Sequence, residues 1–88
     1  MVEKLEPIAK EVRALNDYKL YIKFNNGEEK IYDMKPLLNQ KFYQGLRDIE
    51  RFKKVRTDGI SIEWETGEDV APENLYFDSV PITTIDSK

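Results

Sequence analysis

The chain has 88 residues, a formal net charge of −3, 40% hydrophobic residues and 35% charged ones. That is enough for one domain with one modest core and too little for two, and the 11% aromatic content is too high for a disordered tail. The absence of cysteine and histidine excludes disulfides, thiolate metal sites and serine–histidine or cysteine–histidine hydrolysis, and leaves a carboxylate site for a hard cation as the remaining metal chemistry.

The charge is unevenly placed. Residues 1–57 hold 13 Lys/Arg against 9 Asp/Glu, a net of +4, whereas residues 58–88 hold one Lys against 8 Asp/Glu, a net of −7. Two solvated faces of opposite sign account for this, and so does an acidic third that docks on a basic partner. No apolar run approaches the roughly 18 residues of a membrane span. The opening Met-Val-Glu-Lys-Leu-Glu-Pro lacks the basic and apolar regions of a signal peptide. The expectation is a cytoplasmic protein without a membrane segment.

In chain order, a first strand is expected from about Ile8 to Ala14, with Val12 and Ala14 on the face of Leu20 and Tyr18 across a loop of Leu15 to Asp17. Lys10 fits that face poorly, which makes the strand short or an edge. Tyr18, Leu20, Ile22 and Phe24 then alternate with Lys19, Tyr21 and Lys23, the period of a half-buried strand. Asn26-Gly27 reads as a two-residue hairpin turn. That turn pairs Ile22 with Ile31 and Tyr21 with Tyr32, and it sets Lys23 opposite Lys30. Tyr21 and Tyr32 would then share the outer face, opposite the core.

Next, Pro36-Leu37-Leu38 opens a helical turn, and Phe42, Leu46 and Ile49 fall at i, i+4 and i+7. A short helix is expected here, weakened by Gly45 and packed through Phe42, Leu46 and Phe52. Asp58-Gly59 reads as a second hairpin turn that pairs Val55 with Ile62 and Lys54 with Glu63. Glu65-Thr66-Gly67 forms a further turn. Pro72 then sits at the first position of a short helical turn, with Glu73 where a carboxylate suits the helix dipole. Glu73 to Phe77 resembles the start of a common protease tag site, but Asp78 stands where that site needs Gln. The whole is one α+β domain, residues 1–88, with a core over about 8–78 and a polar tail over 79–88. Its mostly antiparallel sheet has about five strands in two hairpins, with one short central helix and a C-terminal helical turn.

The order of these motifs resembles a known family. Leu20-x-x-x-Phe24-x-x-Gly27, Tyr32-Asp33-x-x-Pro36-Leu37-Leu38, Leu46-x-Asp48-x-x-x-Phe52-x-x-Val55 and, most specifically, Trp64-x-x-Gly67-x-Asp69-x-x-Pro72-Glu73-x-Leu75-Tyr76 are similar to the bacterial domain-of-unknown-function 2442 family. The resemblance covers about residues 8–78. It implies a compact antiparallel sheet with a helix and implies no activity. Some relatives carry an added helix-turn-helix, and some are encoded beside a second small protein in toxin–antitoxin-like pairs. The elements above use the whole sequence, so the DNA-binding role of such relatives is not carried over.

The charged residues are weighed in the same way. Asp33 and Asp69 read as turn residues that bond nearby backbone, and Asp48 as the N-cap of the turn Ile49–Phe52. Glu65, Glu68 and Asp69 place three carboxylates in five residues, but without the alternation of an EF-hand loop. The basic run Lys41, Arg47, Arg51, Lys53, Lys54 and Arg56 offers a weak nucleic-acid option, set against a sequence pI near 5.0. Trp64 covers the helix–sheet seam or anchors an interface.

The expected function is that of a protein-interaction module, antitoxin-like, and not an enzyme. It would use Tyr21, Tyr32, Trp64, Glu65, Glu68 and Asp69 toward a small basic, toxin-like partner or a second copy, with no cofactor, metal or catalytic residue. The alternative is a carboxylate-dependent or metal-assisted enzyme.

Overall fold

A computed structural model describes residues 7–82. Its seven strands form two antiparallel sheets. β1 (Ala9–Ala14), β2 (Lys19–Phe24), β3 (Glu29–Asp33) and β7 (Val80–Pro81) make a four-stranded sheet in the order β1-β2-β3-β7. β4 (Arg56–Thr57), β5 (Ile62–Glu63) and β6 (Asp69–Val70) make the second sheet. The α+β antiparallel class read from the sequence holds, although the strands divide into two sheets and residues of the expected tail supply β7. No helix among the described residues is long and apolar enough to cross a membrane.

β1 and β2 pair as expected, with Val12 opposite Ile22 and Ala14 opposite Leu20. Lys10 falls in the irregular stretch between Ala9 and Glu11, where an extra residue turns it out to solvent. The connection runs through left-handed backbone at Asp17 (φ 65°) and Tyr18 (φ 58°). For a tyrosine this conformation is uncommon and costs on the order of 1–2 kcal/mol. It turns the Tyr18 ring edge-on to Phe52, with centroids 5.2 Å apart.

The first hairpin departs from the expected register by one residue. Leu20 faces Tyr32, Tyr21 faces Ile31, Ile22 faces Lys30 and Lys23 faces Glu29. The cause is the loop. Phe24 N–H donates to the Glu28 carbonyl (2.9 Å) and Gly27 N–H to the Phe24 carbonyl (3.0 Å), so three residues turn the chain, with Gly27 left-handed at φ 92°. A one-residue slip moves every side chain of the second strand to the other face. Tyr32 and Lys30 therefore lie on the core side, and Lys23 stands across from Glu29 in place of Lys30.

The same loop recurs between β5 and β6. Trp64 N–H donates to the Glu68 carbonyl (2.9 Å) and Gly67 N–H to the Trp64 carbonyl (2.9 Å), with Gly67 at φ 107°. Phe24-Asn25-Asn26-Gly27-Glu28 and Trp64-Glu65-Thr66-Gly67-Glu68 thus share an aromatic-x-x-Gly-Glu frame.

The hairpin between β4 and β5 also shifts, to Arg56 opposite Glu63 and Thr57 opposite Ile62, in place of Lys54 with Glu63 and Val55 with Ile62. The Asp58 carboxylate accepts from Ile60 N–H (2.9 Å) and Ser61 N–H (2.7 Å), which centres the turn on Gly59-Ile60. The expected charge pair reappears two positions on, as Arg56–Glu63 at 2.9 Å.

The middle of the chain is tighter than a single α-helix. Two 3₁₀ segments, Leu37–Asn39 and Lys41–Arg47, precede α1 (Ile49–Phe52). With three residues per turn, Tyr43 and Leu46 face inward. The expected stripe breaks: Leu46 and Phe52 are buried, but Phe42 and Ile49 are 57% and 44% exposed. Asp48 caps α1 by accepting from Glu50 N–H (3.0 Å), and Asp33 accepts from Lys35 N–H (3.0 Å), both as expected. Asp69 lies in β6, where its carbonyl accepts from the Tyr43 hydroxyl (2.7 Å).

α2 (Pro72–Asp78) has Pro72 in its first turn and buries Leu75. Tyr76 meets Phe24 edge-on at 5.1 Å. One core unites both sheets and the helical segments, with Leu20, Ile22, Phe24, Met34, Leu46, Phe52, Ile62, Trp64 and Leu75 at its centre.

Candidate functional site

The helical segments and the second sheet's buried residues pack on one face of the four-stranded sheet, the face of Leu20, Ile22, Phe24 and Tyr32. Strand alternation sends the other residues outward. Registers place Arg13, Tyr21, Ile31 and Val80 in one row across all four strands. A row on one side holds Lys19 and Asp33, and a row on the other holds Glu11, Lys23 and Glu29. Every member of these rows is exposed or half-buried.

Tyr21 is held flat at the centre. Its hydroxyl donates to Glu29 Oε2 (3.1 Å), and the Arg13 guanidinium stacks 4.4 Å from its ring centroid. Partial burial, reinforced by the Glu29 carboxylate, raises its hydroxyl above the ordinary tyrosine range. A restrained tyrosine between exposed charges loses little side-chain entropy when a partner covers it.

The other residues singled out from the sequence are not gathered on this face. Tyr32 lies inside, 4% exposed, and burial pushes its hydroxyl up to about 12. Trp64 is buried in the core, where its Nε1–H donates to the Phe52 carbonyl (2.9 Å) and its ring stacks on Phe52. It therefore fills the seam role and presents no surface to a partner. Glu68 is buried and accepts from the Thr66 hydroxyl, while Glu65 and Asp69 are exposed. Among the described residues no group of three or more carboxylates is placed to hold a metal ion.

The basic run is likewise dispersed. Arg56 pairs with Glu63, and Arg47 Nε–H donates to the Leu38 carbonyl (3.1 Å). Glu65, Arg51 and Lys54 line one shallow depression, so the charge halves of the sequence interleave in space.

Sequence reasoning missed Ile31 and Val80, which the corrected register brings beside Tyr21. It also missed Lys30. That ammonium is buried, donates to the Tyr76 carbonyl (2.9 Å), lies 3.7 Å from the Tyr76 ring centroid and stands 3.8 Å from Glu28. An open cleft of about 540 Å³ beside it is lined by Glu28, Lys30, Tyr76 and Pro81.

These features define a small α+β domain of two antiparallel sheets on one core, with one sheet face left open among the described residues. The model of the family described as a protein of unknown function, DUF2442, matches residues 9–81, and the chain belongs to that family. No curated protein and no solved structure gives a match.

Proposed function

We propose that this chain is a cytoplasmic binding module, not an enzyme, and that it works by docking a protein on the open face of its four-stranded sheet. The observation that carries this reading is the row Arg13–Tyr21–Ile31–Val80, which crosses the whole sheet with an aromatic and two aliphatic side chains flanked by charges. A central aromatic anchor inside a polar rim is the usual anatomy of a protein interface. The antitoxin-like form of the reading gives the domain a small basic partner, met also by the exposed Glu65 and Asp69. Glu63 is already paired and Glu68 is buried, so that form rests on Glu65 and Asp69 alone.

The test is capture from native lysate with tagged wild-type chain, a Tyr21→Ala/Ile31→Arg variant and a Glu65→Lys/Asp69→Lys variant, all shown folded by circular dichroism. The expected result is a stoichiometric protein retained by wild type and lost from the sheet-face variant. Loss from the acidic-segment variant as well would support the basic-partner form. The same protein held equally by all three chains would sink the sheet-face reading.

A further inference from the structure

Resting on the binding-module reading, and naming its partner, we infer that the open sheet face is a homodimer surface, covered by a second copy of the same face.

Charge complementarity at fixed register selects this occupant. On this face β2 presents Lys19, Tyr21 and Lys23, while the neighbouring β3 presents Asp33, Ile31 and Glu29 at the same three levels. One strand is positive, apolar, positive; the next is negative, apolar, negative. Place a twofold axis in the plane of the interface, parallel to the strands and midway between β2 and β3. Rotation about it lays β2 of one copy over β3 of the other without changing the level along the strand. Lys19 then meets Asp33 of the second copy, Tyr21 meets Ile31 and Lys23 meets Glu29, and each contact occurs twice. An axis across the strands would instead lay Lys over Lys and carboxylate over carboxylate.

No carboxylate among the described residues lies within ion-pair distance of Lys19 or Lys23. Stacked sheets with parallel strands pack about 10 Å apart and turned by about 30°. At one outward residue from the centre, about 7 Å along the strand, that turn displaces the end pairs by roughly 3–4 Å, within the reach of lysine and glutamate side chains. Three strands of five or six residues about 4.8 Å apart, with the two-residue β7 beside them, give a projected footprint on the order of 300 Å². This is small beside a standard interface of roughly 800 Å² per partner, so the dimer is expected to be weak, dissociating on the order of 10–100 μM.

The experiment is sedimentation equilibrium of the full chain from about 1 μM to about 1 mM, at low and high salt. Wild type is expected to pass from its 10.4 kDa monomer to twice that mass, and to weaken as salt rises. Lys23→Glu alone and Glu29→Lys alone each place like charges at two contacts and are expected to dissociate at least about tenfold more easily. Mixing the two variants restores both contacts, so the mixture is expected to regain the dimer. Should either variant fail to fold, Lys19→Glu and Asp33→Lys, alone and mixed, carry the same test at the other end of the two strands.

A wild type that stays monomeric throughout would overturn the self-association, and the lysate capture would then decide the broader binding reading separately. A dimer unmoved by every face variant would overturn this surface. Weakened single variants whose mixture does not recover would overturn the stacking of β2 on β3.

Discussion

Tyr32 illustrates how much depends on one position along a strand. Its ring is in the core and its hydroxyl is raised to about 12, first by burial and then by the negative charge of Asp78. Below about pH 10 the phenol is neutral in both folded and unfolded chains. Between about 10 and 12 the unfolded chain loses its proton first, so it binds fewer protons than the native state, and stability falls as pH rises. Tyr32→Phe should remove that part of the alkaline slope. Thermal melts from about pH 8 to about pH 11 should shift in favour of the variant as pH rises; parallel curves would contradict the assignment. Lys30 gives a second residue-scale prediction. The Tyr76 carbonyl it serves also accepts from the Ser79 hydroxyl (3.0 Å), so Lys30→Met leaves no orphan acceptor and keeps the packed stem. Its cost in urea unfolding should stay within about 1.5 kcal/mol. The sequence did not disclose either burial, because a tyrosine and a lysine fit the outer face as readily as the inner one until the register is known.

At the scale of elements, local patterns were legible where one interaction decides them. Alternation from Tyr18 to Phe24 marked β2, Pro72 marked the start of α2, and Asp48 marked the cap of α1. Patterns that depend on the length of a connection were not. Asn26-Gly27 reads as a two-residue turn, yet Asn25 joins the loop and shifts β3 by one. The signal that could have given this was the second aromatic-x-x-Gly-Glu segment at Trp64 to Glu68, where the glycine is again the last residue of a three-residue turn. The helical stripe misled for a related reason: a 3₁₀ segment turns every three residues, which buries Leu46, half-buries Tyr43 and turns Phe42 out. Gly27 and Gly67 hold left-handed backbone in these loops with open space around them. Gly27→Ala should therefore cost about 1–2 kcal/mol through backbone strain alone, and Gly27→Asn clearly less, in equilibrium denaturation. Equal stability of all three chains would show that the loop is not fixed by its glycine.

For the molecule as a whole, one hydrophobic cluster spans both sheets, and Trp64 stands within it against Phe52. A single core of this size should unfold in one cooperative step. Fluorescence of the only tryptophan and far-ultraviolet circular dichroism should give coincident denaturation curves. Separate midpoints would mean that the three-stranded sheet melts as its own unit. Fold class could be read from the sequence because it rests on periodicity within segments. The candidate surface could be read only in part: Tyr21 was found, but Ile31 reaches it through a three-residue loop read as two, and Val80 through a short strand from much farther along the chain. The charge division between the two parts of the sequence carried little, since folding interleaves those charges.

The short strand β7 has a consequence for behaviour at high concentration. It ends the four-stranded sheet with Pro81, which has no N–H to offer a further strand. At the other end Ala9 N–H donates to the Ile60 carbonyl (3.3 Å), and on the second sheet the Asp69 carbonyl is taken by the Tyr43 hydroxyl. Growth by adding strands is therefore hindered at these positions, whereas two faces related by a twofold axis satisfy each other and stop. Concentrated solutions of this protein should consequently hold finite particles and stay clear on standing, without seeding fibrils.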